Sequence, residues 1–136
     1  MKKVMPIGRQ GFTLIELLVV IGIIAILAVI VLVAVNPSRQ FAQSRNAQRR
    51  NDVNTILNGI HQNAVDNNGT FTGTVAACGG TDTNASTLAG DLVPTYISVM
   101  PSDPSGTTDY TVCVTNGRYT VKAPGAELSE TIEVTR

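Results

Sequence analysis

Gly11-Phe12-Thr13-Leu14-Ile15-Glu16-Leu17-Leu18 opens an apolar run that continues to Val35 and decides the architecture of this chain. From Phe12 to Val35 the run holds 24 residues, interrupted only by Thr13, Glu16 and Gly22. As a helix rising about 1.5 Å per residue it reaches roughly 36 Å, enough for a hydrocarbon core of about 30 Å. A secretory signal has an apolar core of about 7 to 15 residues followed by a small-residue cleavage site. Here the core is longer and no such site follows, so the segment is expected to stay in the mature protein. A charged side chain in a membrane helix costs roughly 2.5 to 3.5 kcal/mol, which makes Glu16 a functional candidate in need of a partner.

Met1 to Gly11 carries Lys2, Lys3 and Arg9 and no acid, and reads as a leader held in the cytoplasm. Arg39, Arg45, Arg49 and Arg50 lie on the other flank, so charge counting alone leaves the topology open. Gly11 followed by Phe12-Thr13-Leu14-Ile15-Glu16-Leu17-Leu18 and a long apolar helix resembles the class III leader and N-terminal helix of type IV pilins and type II secretion pseudopilins. The resemblance covers Met1 to about Asn67 well and the remainder in outline. It implies removal of a leader, residues 1–11, by a prepilin peptidase cutting between Gly11 and Phe12. It also implies N-methylation of Phe12 and retention of residues 12–35 as a single-pass inner-membrane anchor. Pilus or secretion machinery would then assemble the subunit into a homo-oligomeric helical filament, at the cell surface or as a periplasmic pseudopilus.

Cleavage would create an ammonium at Phe12, one helical turn from Glu16. In a bundle of parallel rods, Glu16 of one subunit can meet the Phe12 amine of its neighbour, which removes an uncompensated charge and sets the axial stagger. The plainer reading is that Glu16 snorkels to the interface or pairs within its own chain.

Beyond the apolar run, Asn36-Pro37 interrupts the helix. Proline lacks the backbone donor and clashes with the carbonyl four residues back, here Val33, so a kink or local opening is expected. Many pilins carry a helix-breaking proline earlier in the apolar helix, where this chain has Val33, Ala34 and Val35. Residues 36–67 then read as an amphipathic extension, with Val53, Ile56, Leu57, Ile60 and Ala64 recurring at three- and four-residue steps. Gly69 is placed to close that helix in the left-handed conformation. Arg39, Arg45, Arg49 and Arg50 have three readings: a solvated helix face, a contact between subunits or with lipid, or nucleic acid.

Residues 68–93 shift to Gly, Thr, Ala, Asn and Ser and read as a long connecting loop. Residues 94–136 read as the antiparallel sheet of a small globular head. Tyr110, Val112 and Val114 alternate with Thr111 and Cys113, Asn116-Gly117 offers a two-residue turn, and Tyr119, Val121 and Ala123 alternate with Thr120 and Lys122. In that register Val114 pairs with Tyr119 and Val112 with Val121, and the four share one face suited to cover the helix stripe. A further strand is expected near Thr131 to Thr135. The fold class is therefore α+β: a long N-terminal helix, membrane-spanning in its first half, packed on a small antiparallel sheet.

Cys78 and Cys113 are the only cysteines, and an even pair outside the cytoplasm reads as a disulfide. The bridge would close a loop of about 36 residues and contribute roughly 3 to 4 kcal/mol in the chain-entropy model. In the hairpin register Cys113 points away from the helix, so the bridge would tie the loop across the outer face or edge of the sheet. The familiar pilin bridge encloses a C-terminal loop instead.

Enzyme readings find little footing. His61 is the single histidine and has no cysteine or second histidine at ligand spacing; a surface or intersubunit position is expected. No phosphate-binding loop or nucleophile elbow occurs, and no cofactor or metal is implied. Asp103 and Asp109 flank Pro104-Ser105-Gly106 and read as a turn rather than a calcium cage, which needs six or more oxygens. Removing the leader takes away three of the ten basic residues and none of the ten acidic ones, so net charge gives no footing for general nucleic-acid affinity. The expected function is a structural subunit of a type IV pilus-like filament. The alternatives are a major pseudopilin of a type II secretion system and, more remotely, a monomeric single-span binding module.

Overall fold

The computed structural model describes residues 11–136; the leader residues before Gly11 lie outside the described residues. The chain divides into two compact units, one ending at Pro37 and one running from Ser38 to Arg136.

In the first unit, helix α1 spans Leu14–Val35, and none of its residues is buried. It is long and apolar enough to cross a membrane. Its 22 residues correspond to about 33 Å of helix. Asn36 takes the left-handed conformation at φ 43° and ends α1, and Pro37 is the first residue of α2, which spans Pro37–Asp66. The interruption expected at Asn36-Pro37 is thus a helix end. As the first residue of a helix, Pro37 gives up an N–H that would have no intrahelical acceptor anyway, and its fixed φ suits the helix.

In the second unit, the core stripe of α2 lies where the apolar periodicity puts it: Val53, Ile56, Leu57 and Ile60 are fully buried, and Ala64 nearly so. Burying a side chain of this size contributes roughly 1.5 to 3 kcal/mol. The stripe also extends upstream through Ala42, Asn46 and Arg49, which apolar patterning alone does not reveal. Gly59 allows a close approach, because a Cβ there would come within 2.7 Å of the Ile97 side chain. Beyond Asp66 the Gly69 N–H donates to the Ala64 carbonyl at 2.7 Å, with φ +88° at Gly69.

The sheet that α2 packs against has four strands in the order β1-β2-β3-β4, with every neighbouring pair antiparallel. They are β1 Thr83–Asn84, β2 Thr111–Thr115, β3 Arg118–Lys122 and β4 Glu133–Thr135. The hairpin register is the expected one, Val114 opposite Tyr119 and Val112 opposite Val121. Asn116 and Gly117 both have positive φ, at 50° and 77°, as a type I′ turn requires. Val112 and Val121 are fully buried in the cluster formed with the α2 stripe, with Tyr119 packed against it.

Residues 68–93 depart from a plain loop. They contain β1, a 3₁₀ turn at Ala85–Leu88 and helix α3 at Ala89–Leu92. Phe71, Ala85, Leu88 and Leu92 enter the core, so the segment is a lid on it. Asn63 of α2 fixes this lid: its Nδ2 donates to the Thr72 hydroxyl at 3.0 Å and the Asp91 carbonyl at 3.1 Å, and its Oδ1 accepts the Thr72 N–H at 3.1 Å.

Candidate processing and assembly site

The site begins where α1 begins. Thr13 is the N-cap, with extended backbone at φ −77° and ψ 151°, so Gly11 and Phe12 precede the helix and are exposed. Phe12 is 85 % exposed, and a Cβ on Gly11 would meet nothing within 4 Å. The Gly11–Phe12 bond therefore lies outside the helix, between two exposed residues.

Glu16 closes a capping box with Thr13. Its N–H donates to the Thr13 hydroxyl at 3.3 Å, while its Oε2 accepts the Thr13 N–H at 2.8 Å and the Thr13 O–H at 2.7 Å. Two otherwise orphaned donors of the first turn are satisfied, and the carboxylate lies at the positive end of the helix dipole. Sequence reasoning that singles out Glu16 misses Thr13, although a Thr followed three residues later by Glu ahead of an apolar run is the signature of this box. Around it Leu14, Ile15, Leu17 and Leu18 are all more than half exposed, so the carboxylate sits at the head of a bare apolar rod.

Three arginines of α2, Arg45, Arg49 and Arg50, have partners in the head. Arg49 is fully buried: its Nε and Nη2 donate to the two Asp103 oxygens at 2.6 and 3.0 Å, and its Nη1 donates to Asn46 Oδ1 at 2.9 Å. Arg45 grips both oxygens of Glu127 at 2.8 and 3.0 Å, and Arg50 pairs with Glu130. These three side chains bind the C-terminal half of the chain to α2; fully buried Arg49 departs from the reading as a solvated face, while Arg45 and Arg50 stay part-exposed. The Arg49 hydrogen bond pulls the Asp103 carboxyl down to about 2, with Ser105 assisting. Arg45 likewise lowers Glu127. Burial, with Asp52 accepting its hydroxyl at 2.7 Å, pushes the Tyr110 phenol up.

Asp103 and Asp109 are not joined in a cation cage. Asp103 is taken by Arg49 and Ser105, and Asp109 accepts from Ser86. His61 is half-buried, its ring edge-on to Tyr119 at 6.3 Å. Cys78 and Cys113 form a disulfide with Cα atoms 4.9 Å apart.

Residues 8–32 match the family described as the prokaryotic N-terminal methylation motif, the class III leader of type IV pilins. Comparison with curated proteins and with solved structures returns no significant match. A bare apolar helix behind this leader, followed by an antiparallel head, is a pilin-like α+β arrangement. The chain carries the N-terminal methylation motif, which points to a structural protein and fits membrane anchoring through α1 before assembly.

Proposed function

We propose that this protein is the structural subunit of a type IV pilus-like filament, cut after Gly11 by a prepilin peptidase, methylated at Phe12 and polymerised through α1. The observation that carries the reading is the motif at residues 8–32 on a helix whose apolar side chains are all exposed and whose single charge is Glu16. Lipid covers such a rod before assembly, and other copies of the rod cover it afterwards. Before cleavage Thr13 satisfies Glu16 within its own chain. After cleavage the Phe12 ammonium of a neighbouring copy offers a stronger, charge-assisted partner, and meeting it fixes the stagger between rods.

Substitution of Glu16 tests this. Glu16→Val removes the charge and leaves an apolar helix, so insertion and leader removal are expected at wild-type levels while filaments disappear under the electron microscope. Ordered filaments from Glu16→Val would refute the register role.

A further inference from the structure

Asparagine followed by glycine occurs three times in the chain, at Asn58-Gly59, Asn68-Gly69 and Asn116-Gly117. In such a pair the backbone nitrogen of the glycine can attack the asparagine Cγ and close a five-membered ring, because glycine has no side chain to obstruct the approach. The attack needs a glycine N–H free of any acceptor, a backbone able to rotate, and access for water. The fold grants these unequally.

Asn58 and Gly59 lie inside α2, and Gly59 is buried. Each N–H of a helix interior is engaged by the carbonyl four residues back, and rotating one peptide there breaks the helix. The Gly69 N–H is engaged too, by the Ala64 carbonyl at 2.7 Å. Asn116 and Gly117 instead form the exposed tip between β2 and β3. Neither the Gly117 N–H nor the Asn116 side-chain amide has a hydrogen-bond partner among the described residues. Nothing lies within 4 Å of where a Cβ on Gly117 would stand, so water reaches the bond. Rotating this peptide disturbs only the Thr115–Arg118 pair that closes the ladder.

We propose that Asn116 is a site of spontaneous modification, deamidation through a cyclic imide, and that the fold confines the reaction to this one of the three pairs. The Gly117 N–H gives its proton to solvent base, and the nitrogen forms a bond to Asn116 Cγ. The C–N bond of the side-chain amide breaks, and the nitrogen leaves as ammonia with a proton from solvent. Water then opens the imide at one of its two carbonyls; nothing is oxidised or reduced. One opening leaves aspartate, which suits the same turn and adds a negative charge. The other leaves isoaspartate, whose main chain is one methylene longer. A two-residue loop sets the register of its strands, so the extra methylene works against Val112 opposite Val121 and Val114 opposite Tyr119. Val112 and Val121 are core residues, so the isoaspartyl head is expected to melt at a lower temperature.

The test incubates the purified full chain in detergent at mildly alkaline pH and maps the amide-to-acid mass change by peptide fragmentation. Conversion at Asn116 is expected to outpace that at Asn58 and Asn68 by roughly tenfold or more, because those two react only through local opening. In denaturant the three are expected to convert at similar rates. Faster conversion at Asn58 or Asn68 in the folded chain, or an undiminished preference for Asn116 in denaturant, overturns the proposal. Asn116→Gly keeps a pair that the turn accepts and removes the amide, so its Tm is expected to hold through the incubation while the wild-type chain gains a lower-melting fraction that carries isoaspartate. A variant that ages like the wild-type chain overturns the assignment to Asn116, and an isoaspartyl fraction with unchanged Tm overturns the effect on register.

Discussion

Gly11 occupies open space, so nothing in the fold demands a glycine there. On the processing proposed above, a requirement for glycine at that position would belong to the peptidase. Gly11→Val is therefore expected to leave the chain folded and inserted but uncut, and the intact mass of the membrane-extracted chain checks it; a cut product would remove the cleavage assignment. Arg49 works the other way, as a residue the fold needs. Removing one partner of a buried ion pair costs about 3 to 5 kcal/mol, because the other charge is left uncompensated. Arg49→Met is expected to lower head stability by that order in thermal unfolding of the detergent-solubilised chain.

The same pair sets an acid limit. Asp103 titrates near 2 in the fold, below its ordinary 3.8. The unfolded chain therefore takes up the proton first, and the stabilisation is complete above pH 4 and lost as pH falls toward 2. Denaturation curves between pH 5 and 2 should show this loss, and Arg49→Met should lack most of it. Glu16 is legible in the sequence because a carboxylate in an apolar run is conspicuous. Arg49 is not, although it keeps the phase of Val53, Ile56 and Ile60, because a fully buried guanidinium runs against the usual partition of arginine to the surface.

Among the elements, those with a strong period are readable and the irregular ones are not. The β2–β3 hairpin follows from alternation on both sides of Asn116-Gly117, since the two-residue turn fixes the register. Gly117 has φ 77°, where a β-branched residue is strained. Gly117→Val is expected to destabilise the head by about 1 to 2 kcal/mol, read from the same unfolding transition. The stretch from Asn68 to Val93 hides its structure, because Phe71, Ala85, Leu88 and Leu92 are scattered through polar and small residues and the strand is two residues long. Pro37 gives a clear signal of interruption, while its role as a first helical residue depends on Asn36 turning left-handed, a choice the proline alone does not dictate.

For the whole molecule, the lid and the sheet edge are one structure. The segment before β1 runs beside β2: the Cys78 N–H donates to the Val114 carbonyl at 3.1 Å and the Val114 N–H to the Ala76 carbonyl at 2.9 Å. The Cys78–Cys113 bridge clamps that edge, which would otherwise offer unpaired backbone to another chain. Replacing both cysteines by serine is expected to cost roughly 2 to 5 kcal/mol, lowering Tm by on the order of 10 °C or more in a head of this size. An unchanged Tm would show that the packed lid holds the edge unaided. On the filament account proposed above, the head is the folded part that each copy contributes once the membrane is left behind.

Mass spectrometry of the N-terminal peptide from filaments sheared off native cells tests that account most directly. It predicts an abundant chain beginning at a methylated Phe12. The same mature terminus confined to the envelope would contradict a surface pilus and assign the subunit to a periplasmic pseudopilus, and an intact Met1 would contradict the processing on which the whole reading depends.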